Sequence, residues 1–178
     1  MGETEFITDK EIYEHVICSA IPGAQEFVWL GTADIKDLYV EKGRGMVPFL
    51  EILSDLIKRG VSVRLIHAKE PGPNFREDFD RYPNLIDGVE RILCPRVHFK
   101  TIVIDGKYAY SGSANLTGAG MGAKSSTRRN FEAGFVTTDP RFIGKIMDQF
   151  DSVWMGARCI DCQRKEYCGE YKDLIGDL

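Results

Sequence analysis

The sequence predicts an α/β fold, a mixed β-sheet flanked by helices, on three observations. Strand-like and helix-periodic apolar segments alternate along the chain. The passage from residue 27 to residue 67 reads strand, helix, strand, which is a βαβ unit with parallel pairing. Further on, Asp105-Gly106 between two apolar runs reads as a hairpin turn, which adds antiparallel pairing.

Each element has its own signal. Thr8 followed by Glu11 forms a capping-box pattern, and Ile12, Val16 and Ile17 then share one helical stripe. Residues 27–32 (FVWLGT) read as a buried strand. A helix starts near Val47 or Pro48, since proline suits a first helical turn; Phe49, Leu50, Leu53, Leu56 and Ile57 give it a core face, and Gly60 suits a left-handed C-cap. Residues 61–67 alternate as a strand. Pro71, Gly72 and Pro73 mark a loop before a short helix at 75–81. Residues 89–93 and 97–104 are strand-like, and YAYS continues after the Asp105-Gly106 turn. Residues 112–130, rich in Gly, Ser and Ala, form a long loop, and loops of that length in a compact domain are usually functional or disordered. A strand follows at 131–137. Asp139 and Pro140 then open a last helix whose apolar face carries Phe142, Ile143, Ile146, Met147, Phe150, Val153 and Trp154.

At 178 residues, 43% of them apolar, the chain has the means to bury one sizeable core. The expected division is a main domain over 1–156 and a cysteine-containing tail over 157–178. The net charge of -4 argues against a uniformly basic polyanion binder while leaving room for a local basic cleft. No apolar run approaches the roughly 20 residues that span a bilayer. The acidic start MGETEFITDK lacks the apolar core of a secretory signal, so the expected location is cytoplasmic.

The chemistry-bearing stretch is HFKTIVIDGKYAYSGSAN, residues 98–115. Strand alternation puts His98 and Lys100 on one face with Phe99 turned away. An imidazole beside an ammonium is a poor core pair, because each costs free energy when desolvated without a partner. A phosphate satisfies both. Lysine neutralises the anion, and an imidazole can attack phosphorus or protonate a leaving oxygen. Gly112, Ser113 and Asn115 open the next loop with small hydrogen-bonding groups suited to phosphate oxygens. Taken alone, His98 would be a satisfied strand histidine and Ser113 a turn residue. Asp105 before Gly106 has a complete explanation as a turn aspartate.

His98, Lys100, Asp105, Gly112, Ser113 and Asn115 stand at the spacing of the phospholipase D superfamily motif, and the sequence resembles that family. The likeness extends to RRNFEAGF (128–135) and to LIKRGVSVRLI (56–66), covering roughly residues 25–155. The resemblance implies a phosphodiesterase working through a covalent phosphohistidine with no catalytic cofactor. His98 would be the nucleophile, Lys100 and Asn115 would hold non-bridging oxygens, and Glu132 would orient the far nitrogen of His98. Asp105 and Ser113 belong to the same catalytic set. The family uses two motifs per site and this chain carries one; His15 and His67, the other histidines, lack the lysine two residues on. The resemblance therefore implies a homodimer with the site on its twofold axis.

Lys124, Arg128 and Arg129 form a basic loop just after the motif on an acidic protein, which favours nucleic acid as substrate. A phospholipid hydrolase or phosphatidyl transferase is the alternative, and a nucleic-acid-binding sensor with vestigial turnover is a third reading. A membrane partner is disfavoured because no basic amphipathic helix is evident. His67 reads as a surface or core histidine. Cys159, Cys162 and Cys168 suit a structural zinc or iron–sulfur centre with Cys94, Cys18 or a non-cysteine residue as a fourth ligand; a disulfide and free thiols stay open.

Overall fold

The computed structural model describes residues 2–170. In chain order the strands are β1 (Thr4–Thr8), β2 (Phe27–Thr32), β3 (Tyr39–Lys42), β4 (Gly45–Pro48), β5 (Ser62–His67), β6 (Val89–Leu93), β7 (Thr101–Ile104), β8 (Tyr108–Gly112) and β9 (Ala133–Thr137). Seven of them form one mixed sheet in the order β1-β9-β8-β7-β2-β5-β6, and β3 pairs with β4 apart from it. The β2–β5–β6 side is parallel, and the remaining pairings are antiparallel.

The parallel side follows from the expected βαβ unit. Helix α2 (Phe49–Lys58) crosses between β2 and β5 and buries Leu50, Leu53 and Leu56 against the sheet. Truncating Leu53 or Leu56 to alanine would cost about 2–5 kcal/mol through lost burial and a cavity. The helix ends in a Schellman motif. Gly60 takes φ 86°, its N–H reaches the Ile57 carbonyl at 2.9 Å, and the Val61 N–H reaches Leu56 at 3.1 Å. Helix α1 packs on the same face; it begins as an α-turn (Lys10–Ile12) and continues as a π-helix (Tyr13–Ala20). The Glu11 carboxylate accepts the Thr8 N–H at 2.8 Å and the Thr8 hydroxyl at 3.1 Å, so only the glutamate half of the expected capping box is formed. Helices α3 (Pro73–Asp80) and α4 (Asn84–Gly88) lead into the edge strand β6.

The opposite face is covered by α5 (Pro140–Trp154), opened by Asp139, whose carboxylate accepts the Arg141 N–H at 2.9 Å. Ile143 and Ile146 pack on Val103 and Ala109, and Phe150 packs with Ile66 and Val97.

Several features depart from the sequence reading. Strand β1 was not expected, because a charged edge strand with one fully buried residue, Ile7, leaves little apolar pattern. The β3–β4 hairpin, largely exposed and turned at Gly43 (φ 64°), escaped for the same reason. Phe142 is 46% exposed and meets Phe135 edge-on instead of joining the core. The strand expected over 97–104 is regular only from Thr101, and the one expected over 131–137 begins at Ala133. His67 is fully buried, a core histidine, with burial pulling its pKa down. Among the described residues no helix is long and apolar enough to cross a membrane.

Candidate active site

The β7–β8 hairpin sets the frame. Thr101 pairs with Gly31 on β2 and with Ser111 on β8, and the Gly112 N–H carries the ladder one step further, to the Lys100 carbonyl at 3.1 Å. Residues 97–100 then run on without strand pairing. Side-chain alternation nevertheless persists. The Phe99 ring lies over Gly31, where an added Cβ would stand 2.3 Å from a ring carbon, while His98 and Lys100 turn the other way. His98 is exposed and Lys100 is 7% exposed. The Lys100 Nζ donates to the His98 carbonyl at 2.7 Å and stands 3.3 and 3.4 Å from the ring nitrogens. Burial pulls the Lys100 pKa down, and the Glu132 carboxylate opposes it.

Ser113 and Glu132 meet across β8 and β9. The Ser113 hydroxyl donates to the Glu132 carboxylate, the Ser113 Oγ accepts the Ala133 N–H at 3.1 Å, and Asn130 Nδ2 donates to the second Glu132 oxygen at 3.0 Å. Asp9 fixes the backbone beneath: the Glu132 N–H donates to its carboxylate and the Asp9 N–H to the Glu132 carbonyl, both at 2.9 Å. The family resemblance had Glu132 orienting His98. Here that carboxylate is taken by Ser113 and Asn130, and its influence reaches Lys100 as charge.

Asn115 sits where β2 ends. Its carbonyl oxygen accepts from the Asp34 N–H at 3.1 Å and the Thr32 hydroxyl at 3.3 Å, which leaves the amide nitrogen available as a donor. His98, Lys100, Ser113, Asn115 and Glu132 therefore gather at one end of the sheet.

Asp105 is not among them. Strand β7 carries it to the opposite end, about 16 Å along from Lys100 at the usual strand rise. Its carboxylate accepts the backbone N–H groups of Gln25, Glu26 and Phe27 at 3.0, 2.8 and 2.9 Å, and its own φ is 54°. Burial alone would raise its pKa; those three donors and Lys107 outweigh it and hold the carboxyl low. The placement of Asp105 with the catalytic residues is corrected: it clasps the turn that starts β2.

Lys124, Arg128 and Arg129 lie on the loop between β8 and β9, and none takes part in a salt bridge among the described residues. The Lys124 side chain lies along Gly118, and the Arg128 and Arg129 N–H groups close a turn onto Ser125. Thr32, Asp34, Asn130 and Asp9 were missed as supports of the site. Only Asn130, two residues before Glu132, had a local sequence signal.

The tail cysteines are free thiols. Among the described residues no group of three or more His, Cys, Asp or Glu side chains is already disposed to hold a metal ion.

Comparisons with known proteins bear on the fold and the family. The family model described as "Cardiolipin synthase, PLD-like domain" matches residues 17–154. The chain is 27% identical over 105 residues to a mitochondrial cardiolipin hydrolase of Chlamydomonas reinhardtii, a match covering 58% of this chain and 44% of that protein. Among solved structures, Nuc of Salmonella typhimurium, described as a phospholipase D family member, superposes with a TM-score of 0.65 at 16% identity, over 86% of this chain and 95% of Nuc. NucT of Helicobacter pylori gives 0.63 at 18% identity, over 85% and 95%. The family match spans most of the chain and contains the His98–Asn115 motif, and the chain belongs to the phospholipase D superfamily.

Proposed function

We propose that the protein cleaves nucleic-acid phosphodiester bonds through a phosphohistidine at His98, in a site completed by a second copy of the chain. The observation that carries the reading is the exposed His98 imidazole beside the nearly buried Lys100 amine, a nucleophile next to an anion holder. A His98 ring nitrogen attacks phosphorus, and the bond from phosphorus to the leaving oxygen breaks. That oxygen takes a proton from His98 of the partner subunit. The same imidazole then removes a proton from water as its oxygen attacks phosphorus, the P–N bond breaks, and the enzyme is restored. Lys100 and the Asn115 amide hold the non-bridging oxygens as charge builds on them.

Nucleic acid is favoured over lipid because Lys124, Arg128 and Arg129 place positive charge beside the motif on a chain of net charge -4. A lipid substrate is the second reading. It rests on the cardiolipin hydrolase relative and on Phe131, 92% exposed and adjacent to Glu132. The deciding experiment offers single- and double-stranded DNA, RNA and cardiolipin vesicles in the presence of EDTA, with His98→Ala as control. Cleavage of a nucleic acid by wild type alone supports the first reading. Headgroup or acidic-lipid release without nucleic-acid cleavage replaces it with the second. Turnover by a strictly monomeric protein, measured by light scattering at assay concentration, would overturn the shared site.

A further inference from the structure

Beyond the catalytic end of the sheet, the structure gathers four of the five cysteines around one cavity of about 580 Å³. Cys159, Cys162 and Cys168 come from the segment after α5, and Cys94 comes from the turn after β6, far away in sequence. Cys18, the other candidate fourth ligand, lies elsewhere, packed against the α1 side of the core. All four thiols are free. We propose that Cys94, Cys159, Cys162 and Cys168 form a four-thiolate centre for a thiophilic metal, zinc or iron in a cluster, which fastens the tail to the approach to His98.

Several features support ligation by these thiols. Cys162 Sγ accepts the Arg164 N–H at 3.4 Å, a contact that stabilises sulfur as thiolate while leaving lone pairs for a metal. Four thiolates facing one cavity are stabilised together by a cation at their centre, which releases their protons on binding. The sulfurs are not yet at ligand separation, so binding must draw them inward. Cys159, exposed and on an irregular turn, has freedom for that movement.

The centre would act on the catalytic segment through Cys94. Residues 94–100 are without strand pairing, held at the far end by β7. The tail already touches the near end: the Leu93 N–H donates to the Glu170 carboxylate at 3.0 Å, and the Cys168 thiol lies 3.9 Å from the Leu93 carbonyl. Arg96, Val97 and Phe99 line the same cavity. A metal there fixes the near end of the segment that carries His98, whose far end β7 already holds, independently of which phosphodiester is cut.

The test is metal analysis of untagged protein purified without chelator under reducing conditions. About one zinc, or iron with acid-labile sulfide and a brown colour, per chain is expected. Cys94→Ser and Cys162→Ser should each lower that content to near none, while Cys18→Ser leaves it unchanged. If a serine variant fails to fold, stepwise mercurial titration of the wild-type thiols provides the second measurement, with metal released as four thiols react. The proposal is overturned by wild type holding neither metal, by full metal content in Cys94→Ser, by loss in Cys18→Ser, or by a disulfide among the four.

Discussion

The Lys100 ammonium donates to the carbonyl of His98 at 2.7 Å, so the backbone of His98 holds the amine beside its own ring. Burial makes that charge costly, and the nearby Glu132 carboxylate offsets part of the cost. Glu132→Gln removes the offset, so the Lys100 pKa should fall further. The alkaline limb of kcat/KM against pH should then move to lower pH, since the ammonium is the working form and is lost earlier as pH rises. An alkaline limb that stays in place would show that Glu132 does not act through the charge of Lys100.

Asp105 gives a prediction of the opposite kind. Asp105→Asn keeps an amide that tolerates the left-handed backbone but loses the charge accepting three N–H groups. Stability should fall by about 2 kcal/mol at neutral pH, with kcat within a few-fold of wild type. The folded-state pKa is lowered, so the carboxylate's contribution is present above its unfolded value of about 3.9 and fades as pH falls through the folded value. Urea unfolding of both proteins at neutral and acid pH should therefore show the gap closing in acid. A large loss of turnover in a stable variant would return Asp105 to the chemistry.

Gly31 and Phe99 should be coupled. A methyl at Gly31 would stand 2.3 Å from the Phe99 ring and 2.9 Å from the Thr101 hydroxyl, so the ring must move and His98 with it. Gly31→Ala should cost about 1–3 kcal/mol and reduce kcat. Adding Phe99→Leu should recover part of the stability lost to Gly31→Ala, a positive term in the double-mutant cycle read by urea unfolding. Strict additivity would mean that the strand absorbs the methyl without moving the ring.

Replacing Arg128 and Arg129 together by alanine should flatten the salt dependence of nucleic-acid binding by about 1.4–1.8 in logarithmic slope if each contacts one phosphate. Fluorescence titration of the His98→Ala protein at several salt concentrations, with and without the two substitutions, measures it. An unchanged slope removes both residues from the substrate path.

The sequence made the α/β class and the βαβ unit legible because the residues involved, from Val28 and Leu30 to Leu53 and Leu56, are buried and periodic. It made the site legible because His98, Lys100, Ser113 and Asn115 are close in the chain and one hairpin brings them together. Asp105 shares the motif's spacing yet stands at the other end of the sheet, because a strand runs straight away from the site between them; its reading as a turn aspartate before Gly106 was the locally legible one. Asp9, Thr32 and Asp34 were invisible for the converse reason: they reach Glu132 and Asn115 across 81 to 123 residues, with no local pattern to mark them. The irregular course of residues 97–100 also left no trace, since side-chain alternation continues there without the ladder that normally produces it.

The pairing of β1 with β9 joins Thr4 to Thr137 and Thr8 to Ala133, and it places Asp9 under Glu132. During synthesis β1 emerges early and must wait for β9, so the site closes only when a late strand returns to an early one. Contacts so distant in sequence form slowly, because the intervening chain must be organised before they are rewarded. A waiting strand is also a template for the wrong neighbour. Glu5 beside the exposed Phe6 at its middle, with threonine at both ends, leaves β1 only two apolar residues, and the charge disfavours premature pairing with another chain. The weak apolar pattern that hid β1 from the sequence reading thus also makes it a poor template for another chain.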